Sequence, residues 1–160
     1  MTEGPPPFEA PSVEIYIRRA FTGMSRVLDR LDDTTVNTKP GDWGTNTVAG
    51  LVVHCCELAP FWLEMAGLGR DHPRTREQEF LAVATVDELR TRIDDAVERT
   101  CELLTEFAAG PRTGDHPLRE FMPRHDRSDT ALVMHVFEEL YQHLGHMEVT
   151  ADALAGPPSA

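Results

Sequence analysis

The sequence has little positive charge. Its 15 lysine and arginine residues stand against 27 acidic residues, which gives a formal net charge of −12. A protein with this charge repels phosphate backbones and anionic lipid head groups, and no basic cluster offsets the repulsion. The chain also lacks a signal-peptide pattern and an uninterrupted apolar run of the roughly 18 residues that a transmembrane helix needs. We therefore expect a cytoplasmic protein with no nucleic-acid partner and no membrane partner.

Cysteine is also scarce, and its three positions form no metal-binding or disulfide pattern. Cys55 and Cys56 are adjacent, Cys101 is distant, and no Cys-x-x-Cys spacing occurs. The odd number and this spacing argue against a disulfide framework and a structural zinc knuckle. Small buried cysteines are common, and neither Cys55 nor Cys56 has an evident base partner in the sequence. We therefore expect reduced cysteines in the core.

The apolar residues follow a helical pattern in four segments. In each segment they recur at steps of three and four residues, the spacing of an amphipathic helix, and no strand pattern survives beside them. Four helices of about 20 residues in a chain long enough for one domain predict an all-α four-helix bundle. The expected helices run from near Ser12 to Leu31, from Asn46 to Gly67, from Thr85 to Ala109, and from Ser128 or Asp129 to Leu154.

Several local signals refine these boundaries. Pro60 lies inside the second helix and predicts a kink there. Thr85 and Glu88 have the spacing of a capping box at the start of the third helix. Residues 68–84 and 110–127 are polar and irregular, and we expect loops. The helical domain should span residues 12–155, with a proline-rich extended segment at 1–11 and a disordered tail at 156–160.

The fourth helix carries four side chains that can bind a metal ion: His135, Glu139, His143 and His146. At about 100° per residue, they fall within an arc of about 80° on one helix face. Most of their neighbours are apolar, so these side chains should border the core or a cavity, where an imidazole needs a partner. His135 and His146 have two interpretations, either as pocket residues or as ordinary hydrogen-bonding side chains.

A second helix must complete a metal site, because one helix face offers two ligands one turn apart. His54 lies in an apolar run in the second helix, where an imidazole without a partner is hard to satisfy. Two imidazoles and one carboxylate form a catalytic type of zinc site with open positions, and they also suit non-haem iron. Glu57, one turn beyond His54, either accepts the second imidazole proton or lies exposed.

The spacing Glu139-x-x-x-His143, followed by a glycine and a further histidine, resembles the late motif of the DinB-like superfamily. The likeness is nearest to the metal-binding domain of mycothiol-dependent maleylpyruvate isomerase, in which a glutamate replaces the first histidine of the more common motif. His54 matches the central histidine of the second helix in that family. Asp42 and Trp43 resemble its tryptophan-containing loop, although Trp43 is also a common type of hydrophobic anchor. The resemblance covers roughly residues 12–155.

This resemblance implies an up-down-down-up bundle, frequently a homodimer, in which His54, Glu139 and His143 bind one divalent metal ion. Zinc is the first expectation, and nickel, iron and manganese are alternatives. The resemblance further implies a low-molecular-weight thiol such as mycothiol, which the metal holds as a thiolate. His72, His116 and His125 lie in polar loops and are assigned no role.

Two classes of function fit these expectations. The first is a metal-dependent thiol S-transferase or isomerase-like enzyme, in which the ion holds a thiol or water as an anion for reaction with an electrophilic substrate. The alternative is a non-catalytic metal-binding or ligand-sensing helical module. Turnover with a thiol and an electrophile distinguishes the two.

Overall fold

The computed structural model describes residues 8–42, 44–110, 116–122 and 126–156. Within these ranges the chain forms helices and no strand, so the prediction of an all-α fold is confirmed. A π-helical turn at Leu63–Gly67 and two 3-10 turns at Thr35–Asn37 and Pro117–Phe121 connect the α-helices. The α-helices are α1 (Ala10–Leu28), α2 (Val48–Trp62), α3 (Arg76–Glu79), α4 (Val86–Ala109) and α5 (Asp129–Ala155).

The starts of the later helices follow their capping residues. Thr85 and Glu88 form the predicted capping box of α4, in which each side chain accepts a hydrogen bond from the backbone N–H of the other residue. The Ser128 side chain accepts a hydrogen bond from the Ala131 N–H at the start of α5. At both positions a polar side chain satisfies an N–H that has no partner within the helix.

The first helix begins earlier than predicted. α1 starts at Ala10 instead of near Ser12, and Pro11 occupies its first turn. Proline is suited to this position because a first-turn N–H has no acceptor within the helix. The last two residues of the segment predicted to be extended are therefore helical. Residues 1–7 of that segment and residues 157–160 of the predicted tail lie outside the described residues.

Contacts between helices define the direction of the chain. Asp29, just after α1, pairs with Arg90 near the start of α4, so α1 and α4 are antiparallel. Arg30 pairs with Asp152 near the end of α5, so α1 and α5 are parallel.

Contacts with α4 and α5 also give the direction of α2. Glu64, just after α2, pairs with Arg99 in the second half of α4, so these helices are parallel. Trp62 at the end of α2 packs against His135 near the start of α5, so these two are antiparallel. Both α1 and α2 pack against α4 and α5. The predicted up-down-down-up bundle is therefore confirmed.

Helix α2 lies in the core. The segment Val48–Gly67 is long and apolar enough to cross a membrane by length and composition alone, but 78% of its most apolar window is buried inside the bundle. At Pro60, where we predicted a kink, α-helical structure continues to Trp62 and then changes to the π-helical turn. The irregularity follows the proline, and the turn places Glu64 in a buried position.

Arg119 attaches the 3-10 turn at Pro117–Phe121 to the bundle. This arginine is 2% exposed, and its guanidinium donates to the Ala66 carbonyl at 2.9 and 3.1 Å and to the Asp129 carboxylate at 2.8 Å. Carbonyl groups at the end of a helix lack donors within the helix, so the guanidinium satisfies an acceptor there. The buried ion pair fixes Leu118 and Phe121 near the adjoining ends of α2 and α5.

The loop predicted at 68–84 contains the short helix α3, which packs directly on α2. A Cβ atom added at Gly50 would lie 2.8 Å from the Phe80 carbonyl oxygen and 3.0 Å from the Phe80 Cα. A side chain at position 50 would therefore push the backbone at Phe80 away from α2. Gly50 lies one turn before His54, so this close approach fixes the position of α3 relative to His54.

We predict that Gly50→Ala lowers the free energy of unfolding by about 1–3 kcal/mol, because the new methyl group meets backbone atoms that must shift. Gly145→Ala is the matched control, since a Cβ there meets nothing within 4 Å. Alanine at this helical position should raise the free energy of unfolding by about 0.5–1 kcal/mol. Urea denaturation of both variants measures the difference. Equal effects would show that the contact with Phe80 is unimportant.

Candidate metal centre

The structure brings together the three residues predicted to bind a metal. His54 comes from α2, and Glu139 and His143 lie one turn apart on α5. One potential ligand atom from each residue lies within 4.8 Å of the other two. The His54 and His143 rings meet edge to face with centroids 4.6 Å apart, and His143 Nε2 lies 3.5 Å from a Glu139 carboxylate oxygen. This separation lets one divalent ion contact all three side chains.

Two nitrogen atoms at this site lack protein partners. Within the described part of the chain, neither His54 Nε2 nor His143 Nδ1 has a hydrogen-bond partner, although both are buried. A buried polar atom without a partner costs about 1–3 kcal/mol, so such atoms usually have a bound partner that satisfies them. A cation satisfies the lone pair of an unprotonated imidazole nitrogen. The residues present therefore fit a bound metal ion.

The hydrogen-bond partner of the other His54 nitrogen, Nδ1, determines which tautomer of the imidazole is present. His54 Nδ1 lies 2.8 Å from a carboxylate oxygen of Glu79. Burial alone raises the pKa of Glu79, but hydrogen bonds from Arg74 and His54 outweigh this and hold its pKa below the usual value. The ionised carboxylate can only accept, so Nδ1 carries the proton. Nε2 is then left with a lone pair directed away from Glu79.

His54 is held in its neutral form. Burial lowers its pKa to about 4, although the hydrogen bond to Glu79 acts in the opposite direction. The imidazole is therefore uncharged near neutral pH, which is the state that binds a metal. The pKa of Glu139 is also lowered, chiefly by its hydrogen bond with His143 and against the effect of burial. A neutral His54 imidazole and an ionised Glu139 carboxylate are thus in place before any ion binds.

Arg74 orients Glu79. Its guanidinium donates from Nε to one carboxylate oxygen at 2.6 Å and from a terminal nitrogen to the other at 2.7 Å. The same terminal nitrogen lies 3.0 Å from His54 Nδ1. Both atoms are donors when Nδ1 is protonated, so we assign the hydrogen to Glu79 and treat the contact with His54 as packing. This pairing fixes the carboxylate plane, which in turn fixes the His54 ring.

Glu79, and not Glu57, accepts the second imidazole proton of His54. We expected Glu57 either to take this role or to lie exposed, and its side chain is 42% exposed, as in the second alternative. The nearest ionic neighbour of Glu57 is His72, at 3.8 Å. The sequence signal for Glu79 was weak, because an acidic residue in a polar loop, 25 positions from His54, is usually solvated.

Two histidines that were assigned no role have defined partners. His72 Nδ1 lies 2.5 Å from a Glu64 carboxylate oxygen, in a half-buried position. His116 caps the 3-10 turn at Pro117–Phe121, where its ring nitrogen accepts a hydrogen bond from the Leu118 N–H. His125 lies outside the described residues. These contacts attach the polar loops to the bundle. Neither His72 nor His116 is one of the three proposed ligands.

A cavity of about 490 Å³ lies beside the three residues. This volume is within the range of small-molecule sites. His54, Glu139 and His135 line one part of it, and the His135 ring packs edge to face on Trp62 with centroids 4.5 Å apart. The remaining walls combine apolar side chains with two arginines, namely Leu58, Phe61, Trp62, Leu118, Phe121, Arg74 and Arg76.

Two further candidate residues are His146 and Trp43. His146 is half-buried on α5, and burial followed by the nearby His143 lowers its pKa. It does not line the cavity. Trp43 falls outside the described residues, so its predicted role beside the site stays a prediction.

The family model described as mycothiol-S-transferase matches residues 12–156. The chain belongs to the mycothiol S-transferase family. This is a DinB-like family, so the predicted membership of the DinB-like superfamily is confirmed. Neither the comparison with curated proteins nor the comparison with solved structures gives a match.

Membership of the mycothiol S-transferase family implies a thiol substrate, and the chain's own thiols are poorly suited to supply the reacting sulfur. Cys55, Cys56 and Cys101 are free and buried, as predicted. Burial raises the pKa of Cys56 to about 12 and raises the pKa of Cys55 well above its usual value. A protonated, buried thiol is a poor nucleophile. Cys55 and Cys56 are therefore poorly suited to act as nucleophiles.

We predict that Glu79→Gln lowers the affinity for a divalent ion about 10- to 100-fold, the usual effect of losing the carboxylate that orients a ligating histidine. Glu57→Gln is the matched control, because it removes the same charge from the residue that does not contact His54. Competition with a chromogenic chelator measures both affinities. A similar loss in the two variants would point to a general charge effect and contradict the role of Glu79.

Proposed function

We propose that this protein is a divalent-metal-dependent S-transferase that uses a low-molecular-weight thiol of the mycothiol type. His54, Glu139 and His143 would hold the ion, and the electrophilic substrate would bind in the adjacent cavity. The observation that carries the proposal is His54 Nε2, a buried nitrogen with no partner among the described residues, close to two further potential ligands. The family match supports the thiol as co-substrate.

The choice of ligands favours zinc. Two neutral imidazoles and one carboxylate leave a divalent site with a net charge of +1 and with positions open to a further ligand. When bound, the ion would stabilise the deprotonated form of a thiol, so that it is nucleophilic near neutral pH. The same ligand set also accepts nickel, iron or manganese, and elemental analysis of the purified protein identifies the metal.

The side chains around the site have separate roles. Burial keeps the His54 imidazole neutral, Glu79 and Arg74 orient its ring, and Glu139 supplies the single negative charge among the three ligands. Trp62 and Leu58 are buried and give the cavity an apolar wall that limits water near the reacting sulfur. In the transfer, the thiol would release its proton to water, a carbon–sulfur bond would form, and the leaving group would depart with the electron pair of its bond to carbon.

We predict that His54→Ala and His143→Ala each remove most of the bound metal and leave a helical protein, because each deletes one of three ligands and keeps the apolar core. His146→Ala is the control, since it removes an imidazole from α5 outside the three residues. Elemental analysis and circular dichroism give the two measurements. Stoichiometric metal in both ligand variants would mean that the ion binds elsewhere.

We also predict that a thiol binds the ion directly, with a pKa well below the roughly 8.5 of a free cysteine-type thiol. Adding mycothiol or a simpler thiol to the cobalt-substituted protein should produce a sulfur-to-metal charge-transfer band near neutral pH. A compound with a hydroxyl group in place of the thiol is the control. The absence of a band at saturating thiol would contradict the proposal, whereas a band without turnover on any electrophile would favour a ligand-sensing module.

A further inference from the structure

The cavity contains two arginines with different surroundings. Arg74 uses two of its nitrogens to bind Glu79, so its positive charge is compensated. Arg76 is exposed and lines the same cavity, with its guanidinium carbon 5.0 Å above the centre of the Phe80 ring. Among the described residues, no carboxylate forms an ion pair with Arg76. An uncompensated guanidinium therefore lies at the edge of the cavity, in a protein whose overall charge is strongly negative.

Phe80 defines the distance between this guanidinium and the candidate metal centre. The Phe80 ring stacks on the His54 ring, with centroids 4.4 Å apart and planes inclined by 27°. The guanidinium of Arg76 and the imidazole of His54 thus both contact a single aromatic ring. Because both residues also line the same cavity, a small molecule bound there can place one end at His54 and the other at Arg76.

The other walls of the cavity are largely apolar. Leu58, Phe61 and Trp62 contribute aliphatic and aromatic surface from α2, and Phe121 contributes a further ring from the 3-10 turn. Such walls accept the apolar body of a substrate, whereas a guanidinium at one end binds a carboxylate with two parallel hydrogen bonds. A cavity with apolar walls and one uncompensated guanidinium therefore suits an elongated organic acid.

We propose that Arg76 selects electrophilic substrates that carry a carboxylate on an apolar, typically aromatic, body. This inference rests on the proposed function and names its substrate class. Charge balance supports it: a divalent ion, the Glu139 carboxylate and a thiolate sum to zero, and Arg74 cancels Glu79. The charge of Arg76 then remains, and a substrate carboxylate neutralises it.

The carboxylate takes no part in bond making in this scheme. The thiolate sulfur attacks the electrophilic carbon, the carbon–sulfur bond forms, and the leaving group departs with its bonding electron pair. Arg76 holds the unreacting end of the substrate, so that the electrophilic carbon faces the sulfur. Its loss should therefore weaken substrate binding more than it slows the chemical step.

Binding can be tested without any reaction. Isothermal titration calorimetry would compare benzoate with the neutral benzamide on the protein as purified and after treatment with a chelator. We expect benzoate to bind in both states, and Arg76→Met to weaken its binding about 10- to 100-fold, the usual range for a hydrogen-bonded ion pair. Arg18→Met is the control, because it removes the same charge from a surface arginine that pairs with Glu98.

Three results of the binding experiment would overturn the proposal. The first is equal affinity for benzoate and benzamide, and the second is unchanged benzoate binding in Arg76→Met. The third is benzoate binding that disappears with the metal, because the ion alone would then hold the carboxylate. The proposal would also be overturned if the wild-type protein did not bind benzoate at all.

Kinetics with two matched electrophiles separates this proposal from the proposed function. With thiol present, 4-(chloromethyl)benzoate and its methyl ester differ only in the charge of one end. Arg76→Met should raise KM for the acid about 10- to 100-fold and leave kcat nearly unchanged, and it should not affect either constant for the ester. Arg76→Lys should restore part of the lost affinity for the acid. Turnover without preference for the acid would overturn the role of Arg76 alone. Binding of benzoate through Arg76 without turnover of any electrophile would overturn the proposed function alone.

Discussion

The hydrogen bond from His54 Nδ1–H to Glu79 is the interaction on which the candidate site depends. It decides which imidazole nitrogen carries the proton, and it therefore leaves Nε2 with a lone pair in a buried position. It also helps to make an ionised carboxylate acceptable in the core, because Arg74 compensates the charge and the neutral His54 donates a hydrogen bond to it. If this bond were absent, the imidazole could rotate or change tautomer, and α5 would face a donor instead of a ligand.

Backbone contacts between α2 and the loop that contains α3 position the two partners of this hydrogen bond. Gly50 lets the backbone at Phe80 lie against α2, which brings Glu79 to His54 and stacks the Phe80 ring on the imidazole. Gly50, His54 and Phe80 thus form one packed unit with the short helix α3. The other side of the site comes from α5, where residues four positions apart lie on one face. Two rigid helices and one loop therefore position every group that the proposed chemistry uses.

The local signals in the sequence were enough to predict the bundle and the three candidate ligands. Apolar periodicity and the capping box at Thr85 depend on neighbouring residues, and a helix fixes the spacing of Glu139 and His143. Family resemblance then selected those two over the other histidines of α5. Glu79 and Arg76 were missed because their roles arise from the folding of a polar loop onto α2. In the sequence alone, charged residues in such a loop resemble solvated ones.

The candidate ligands lie far apart along the chain, with His54 in the second long helix and Glu139 and His143 in the last. An ion that joins them closes a loop that contains α3 and all of α4, so it constrains most of the molecule. Its binding free energy is available only to the folded chain and adds directly to the stability of the whole bundle. Metal supply in the cell would then govern how long each copy survives proteolysis, as well as whether it can act on a substrate.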